Sequence, residues 1–145
     1  MMRRVLSGIG AICLAMCLAV HAGDSVVLPD SSAPIPNQPQ VLPTASGLPQ
    51  VNLVTPNANG LSYNRYQQFD VGRKGVILNN ATADANTQLG GWIERNPNLA
   101  NGSASLIVNE VNSSRPSQMR GFVEVAGQRA DVVIANPSGI SVDGG

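Results

Sequence analysis

The sequence predicts an all-β protein, and three observations carry that prediction. Short apolar pieces recur roughly every ten to fifteen residues, separated by clusters of Asn, Gly, Ser and Thr. No window sustains the 3.6-residue period of an amphipathic helix. The third is the stretch from Ala130 to Ile140, where the β-branched run Val132-Val133-Ile134 stops at Asn136-Pro137-Ser138-Gly139 and resumes at Ile140. Pro137 presets the backbone for a turn and pushes Asn136 into an extended conformation. The Asn136 side chain can cap the residue two on, and Gly139 suits the last place of a type I turn. Asn96-Pro97-Asn98-Leu99 has the same build. Two such corners point to a coiled, solenoid-like course.

The chain opens on an address. Arg3 and Arg4 precede an apolar run from Val5 to Val20, and Val20-His21-Ala22 places small residues where a signal peptidase reads. Residues 1–22 are therefore expected to be a signal peptide handled by the Sec translocon and cut between Ala22 and Gly23. The run contains Ser7, Gly8 and Gly10 and falls short of the ~20 residues a spanning helix needs. Met16 is too large to precede an acylated Cys17, which argues against a lipoprotein.

Cleavage removes Cys13, Cys17 and His21, the chain's only cysteines and histidine, together with two of its nine basic groups. Seven basic and nine acidic groups remain, a net charge of −2 on a single-domain length. The weak charge, without a basic patch, argues against nucleic acid as a partner. Without disulfides the domain must hold itself by packing and hydrogen bonds.

Pro29, Pro34, Pro36, Pro39, Pro43, Pro49 and Pro56 interrupt the next stretch. Residues 23–47 read as a Pro-rich leader, extended and mobile, and 48–145 as the folded domain. A second reading makes part of this stretch a strand-like arm over the open end of the domain, on the alternation of Val51 and Leu53 with Asn52. After the turn Asn57-Ala58-Asn59-Gly60, Phe69 and Val71 alternate with Gln68 and Asp70, and Val76-Ile77-Leu78 follows Gly75. Trp92-Ile93, Leu106 to Val108 with Val111, Phe122 to Val125, Val132 to Ile134, and Ile140 with Val142 complete the strands.

Fourteen asparagines, all after residue 36, fit an architecture of many tight bends, because Asn tolerates the left-handed region and caps its own turns. A sandwich with hairpins at Asn59-Gly60, Asn101-Gly102 and Asp143-Gly144 fits the local signals as well.

Site chemistry is sparse. With no His or Cys left, serine and cysteine triads and thiolate or imidazole zinc sites are ruled out. Asp70, Asp84, Glu94, Glu110, Glu124, Asp131 and Asp143 read as single outward carboxylates on a solvated face, not a glycosidase pair. Asp84-Ala85-Asn86 resembles the start of a calcium loop but lacks its glycine and distal Glu. No enzyme, cofactor or metal is expected.

Six motifs in order carry a resemblance: Asn59-Gly60-Leu61-Ser62-Tyr63-Asn64, Tyr66-Gln67-Gln68-Phe69-Asp70-Val71, Gly75-Val76-Ile77-Leu78-Asn79-Asn80, Leu89-Gly90-Gly91-Trp92, Asn96-Pro97-Asn98-Leu99 and Val133 to Ile140. From Asn59 to Gly145 the chain resembles the amino-terminal secretion (haemagglutination activity) domain of two-partner secretion exoproteins, the filamentous-haemagglutinin-like adhesins and contact-dependent toxins of Gram-negative bacteria. The resemblance implies a right-handed parallel β-helix with an N-terminal cap. It also implies an export signal recognised by an outer-membrane β-barrel transporter with periplasmic docking domains, and a product that passes the periplasm to the outside or the cell surface. The family's two motif turns carry over to Asn96, Pro97, Asn98 and Leu99 and to Asn136, Pro137, Ser138, Gly139 and Ile140, for transporter recognition or as scaffold. Ser138 departs from the family's Asn, and Val142 and Gly145 stand where some members carry cysteines. Since family domains run on with further rungs, the domain is expected to be incomplete at Gly145. A second functional reading is an adhesive module for host glycan or protein. The export reading is preferred because the matched motifs are turn formers and offer no recognition aromatics.

Overall fold

The structure, a computed structural model, describes residues 24–144; the expected signal peptide and its cleavage site at Ala22 and Gly23 lie outside them. Twelve strands make up the described fold: β1 Val26–Pro29, β2 Gln40–Pro43, β3 Pro49–Asn52, β4 Leu61–Asp70, β5 Val76–Asn80, β6 Ala85–Thr87, β7 Gly91–Ile93, β8 Leu106–Val111, β9 Ser117–Met119, β10 Val123–Gly127, β11 Asp131–Ala135 and β12 Ile140–Val142.

The chain coils as a right-handed parallel β-helix with three faces. One sheet has the order β1-β4-β8-β11, a second β10-β5-β3-β2, and a third pairs β12 with β9, extended by a bridge from Val71 to Met119. Pairs between successive rungs are parallel and in register: Leu61 faces Leu106, and Leu106 faces Asp131. One rung therefore takes 25 residues, from 106 to 131, and the rung before it 45, from 61 to 106. The longer rung holds the antiparallel β6–β7 hairpin and the first Asn-Pro corner. Asn59-Gly60 and Asn101-Gly102 are corners and not hairpins. The left-handed positions among the described residues are all glycine, with Gly60 at φ 77° and Gly102 at φ 120°, and no asparagine adopts one.

The Pro-rich leader corrects an expectation. Residues 26–43 are not a mobile linker: β1 pairs antiparallel with β4 (Val26 opposite Asp70), and β2 pairs antiparallel with β3 (Val41 opposite Val51). The arm therefore starts well before Val51, and its strands belong to the same sheets as those of residues 48–144, with no structural boundary at 47. Both strands are edges, and an edge strand tolerates proline because one row of its N–H groups has no partner to lose. Pro29 and Pro43 close the strands and blunt the edges against pairing with another chain. Asp30 fixes the arm: it is 5 % exposed, its N–H donates to the Arg65 carbonyl (3.0 Å), its carboxylate accepts from the Ser32 N–H and hydroxyl, and Arg65 lies 3.9 Å away.

Inside, β4 switches faces. Leu28 pairs with Gln68 but Pro29 with Tyr66, so Gln67 is an extra residue and the inward set passes from Ser62, Asn64 and Tyr66 to Phe69 and Val71. The core is Val51, Leu53, Tyr66, Phe69, Val71, Val76, Leu78, Ile107 and Val111, with the Tyr66 and Phe69 rings edge to face at 4.9 Å. β5 is buried on both faces, as its unbroken apolar run requires. Its outward Ile77 lies under the β6–β7 hairpin, in a second cluster with Leu48, Ile93 and Ala126.

Candidate functional site

The two Asn-Pro corners are the candidate site, and their geometry is the same in plan. In the first, the Asn96 side-chain oxygen accepts from the Asn98 N–H (3.0 Å), and its main-chain oxygen accepts from the Leu99 N–H (3.2 Å). In the second, Asn136 accepts from the Ser138 N–H (2.9 Å) through its side chain and from the Gly139 N–H (2.9 Å) through its backbone. Asn96 is extended at φ −76°, ψ 117°, as the proline after it demands. Gly139 at φ 105° completes the second turn.

Each corner also ties back to chain that precedes it. The Asn96 amide donates to the carbonyls of Leu53 and Asn79, both at 2.9 Å, and the Asn98 amide donates to Leu53 as well (3.0 Å). Asn136 donates to the Arg115 carbonyl and the Ser117 hydroxyl, both at 3.0 Å. The Ser138 hydroxyl donates to the Ser113 carbonyl, so Ser in the third place performs the backward tie that Asn98 makes in the first corner. Burial separates the two: Asn96 and Leu99 are inside at 2 % and 3 % exposure, whereas Asn136 and Ser138 are half-buried and Pro137, Gly139 and Ile140 are exposed.

Around the corners runs an asparagine system whose members, by composition alone, look like bend formers. Asn52, Asn64, Asn79, Asn80 and Asn109 lie on strands and are at most 4 % exposed. Asn79 donates to Asn52 in the neighbouring rung (2.9 Å), Asn109 accepts from the Tyr66 hydroxyl (2.9 Å), and Asn80 both donates to and accepts from the Ala104 backbone. Burial pushes the Tyr66 phenol pKa up, so it stays protonated and donating. Strand register is what brings them together: Asn52 pairs with Asn79, and Asn64 with Asn109.

Three carboxylates expected on a solvated face are engaged instead. Glu124 accepts from the Gln88 and Leu89 N–H groups (2.8 and 2.9 Å), holding the turn of the β6–β7 hairpin. Asp70 accepts from the Gln118 N–H and the Gln68 amide. Among the described residues no group of three metal-ligating side chains comes together; Asp84 instead accepts from the Arg95 N–H (3.0 Å).

Comparison with known proteins agrees with this architecture. The TPS secretion domain family matches residues 25–145. The chain is 51 % identical over 128 residues to Toxin CdiA of Yersinia pestis, covering 88 % of this chain and 4 % of that protein. It is 54 % identical over 108 residues to tRNA nuclease CdiA-2 of Burkholderia pseudomallei, covering 74 % of this chain and 4 % of that one. The crystal structure of the filamentous hemagglutinin secretion domain superposes with a TM-score of 0.71 at 41 % identity, over 81 % of this chain and 37 % of that chain. The chain thus spans a small part of the curated relatives it matches. With the β-helix, its cap and both Asn-Pro corners in place, the chain belongs to the TPS secretion domain family, the secretion domain of two-partner secretion.

Proposed function

We propose that this domain is the export signal and folding nucleus of a two-partner-secreted exoprotein. An outer-membrane β-barrel transporter with periplasmic docking domains recognises it, after residues 1–22 have taken it through the Sec translocon. The observation that carries the reading is the direction of the corner bonds. Asn96 ties to Leu53 and Asn79, and Asn136 to Arg115 and Ser117, so each corner locks onto chain that emerges earlier. A capped first rung then serves as the template for the next, and each folded rung opposes sliding back through a pore. The absence of cysteine after residue 17 keeps the chain free of cross-links while it is threaded. Fusing residues 1–145 to a passenger tests this: export should depend on the cognate transporter, and export without it defeats the reading. The exported product should begin at Gly23 and carry no lipid, which intact mass checks.

An adhesive module is the second reading, favoured by one observation. The Leu89–Trp92 motif does present an aromatic, since Trp92 is 73 % exposed. Binding of the purified protein to host cells, with no transporter-dependent export of the fusion, would support it instead.

A further inference from the structure

The rung that closes β4 on β8 takes 45 residues, whereas the one that closes β8 on β11 takes 25. The extra length is the β6–β7 hairpin and the first Asn-Pro corner, so chain connection alone holds the register of β8 on β4 least firmly. Apolar burial excludes some slips and not others. A slip of one residue would turn Glu110 into the core. A slip of two keeps Ile107, Asn109 and Val111 facing inward and only exchanges their neighbours on β4.

One pair of side chains does respond to a two-residue slip. The Tyr66 hydroxyl on β4 donates to the Asn109 side-chain oxygen on β8 (2.9 Å), and both residues are 0 % exposed. After the slip Ile107 or Val111 stands where Asn109 stood, neither side chain can accept, and the hydroxyl is left in the core without a partner. Asn79 and Asn52 serve β5 on β3 in the same way, at 2.9 Å; there the slip brings Ile77 or Ala81 opposite Asn52. The next seams, β8–β11 and β5–β10, have no such pair among the described residues. Across them Asn109 and Asn80 donate to the main-chain carbonyls of Val133 (3.2 Å) and Gln128 (2.8 Å). A carbonyl recurs at every residue, so these bonds can be remade after a slip, whereas a side-chain acceptor stands at one position only.

We propose that Tyr66 and Asn109 are the positioning pair that sets the register of the first closed rung, and that later rungs inherit it. Buried polar groups have this use elsewhere: a single buried asparagine fixes the register of a coiled coil at some cost in stability. The importance of the pair rests on the folding-nucleus reading, because a first rung closed out of register is the wrong template for every rung stacked on it. Its action is confined to folding and needs no transporter.

The test uses the chain recovered without its first 22 residues, which has no cysteine of its own. Tyr63 and Val108 are outward neighbours in register, so Tyr63→Cys with Val108→Cys reads the native pairing. Tyr63→Cys with Leu106→Cys, or with Glu110→Cys, reads a slip of two residues, because Cα atoms more than ~7 Å apart are not bridged. Each chain is unfolded in urea, refolded and oxidised. With Tyr66 and Asn109 in place the native disulfide should exceed either slipped one by about tenfold or more, the penalty of one buried polar group without a partner. Tyr66→Phe with Asn109→Val removes both partners at once, so the urea midpoint should stay close to the parent's while the preference for the native disulfide is lost. Tyr66→Phe alone should reduce that preference in part. A support that acted through stability alone would leave the disulfide pattern native in every variant. That pattern overturns the proposal, and so does a double variant that no longer folds, since the pair is then structural and not register-setting. Neither failure touches the export reading, which the passenger fusion tests separately.

Discussion

Asn96→Ala should be the most costly substitution at either corner, and the structure gives the size of the effect. Asn96 is 2 % exposed and its side chain makes three hydrogen bonds, to the Leu53 carbonyl, the Asn79 carbonyl and the Asn98 N–H. A typical intramolecular hydrogen bond contributes about 1 kcal/mol net, and a buried group left without a partner costs about 1–3 kcal/mol. Leu53 keeps the Asn98 amide as a second donor, so its loss is softened. Asn79 and Asn98 bear the rest, and the total comes to about 2–4 kcal/mol, a large share of the ~5–15 kcal/mol that stabilises an ordinary domain. Asn96→Asp sharpens the test. It keeps the acceptor for the Asn98 N–H but points an acceptor at the two carbonyls, so it should cost at least as much as alanine. Urea unfolding with a constant slope is the assay, and the transporter-dependent export of a fusion should fall in the same order. A loss below about 1 kcal/mol for Asn96→Ala, or an Asn96→Asp variant as stable as the parent, would refute the claim that this side chain clamps the first rung.

Other substitutions separate local from distant effects. Asn136→Ala removes the same kind of cap from a half-buried site that water can reach, so it should cost only about 1 kcal/mol; unchanged stability with lost binding to the docking domains would make that corner a contact surface. The two hydrogen bonds from Ser32, assisted by Arg65, hold the Asp30 carboxyl below its ordinary value of 3.8. Its stabilising contribution is therefore complete above that value and is lost as pH falls through the lower folded one; Asp30→Asn should flatten the acid limb of a stability–pH profile, and an unaltered limb would exclude the arm as its source. Glu124→Ala frees the Gln88 and Leu89 N–H groups and should speed amide exchange there while sparing Ile107 and Val111; protection unchanged at 88–89 would refute the latch. Val132, Val133, Ile140 and Val142 are 36–75 % exposed on β11 and β12, whose outer edges have no partner among the described residues. Sedimentation should therefore show self-association that Val133→Lys suppresses, and a monomer at every concentration would contradict it.

What was legible in the sequence was legible because it is local. The Asn-Pro corners close through bonds to the residues two and three further on, so four or five residues specify them wherever the chain goes. The inward alternation of Phe69 and Val71 and the unbroken run Val76-Ile77-Leu78 were legible for the same reason. Pairing decided the rest. The prolines of residues 26–43 look like linker until Val26 meets Asp70 and Val41 meets Val51, partners that composition does not name. Asn52, Asn64, Asn79 and Asn109 read as bend formers, yet strand register places them in the interior, where the next rung supplies the partners that make a buried amide tolerable. The sequence by itself determined the apolar strands beyond Gly60 and the corners; the tertiary structure alone decided which distant segments face each other, because pairing depends on the register of the whole coil and not on any one window of residues.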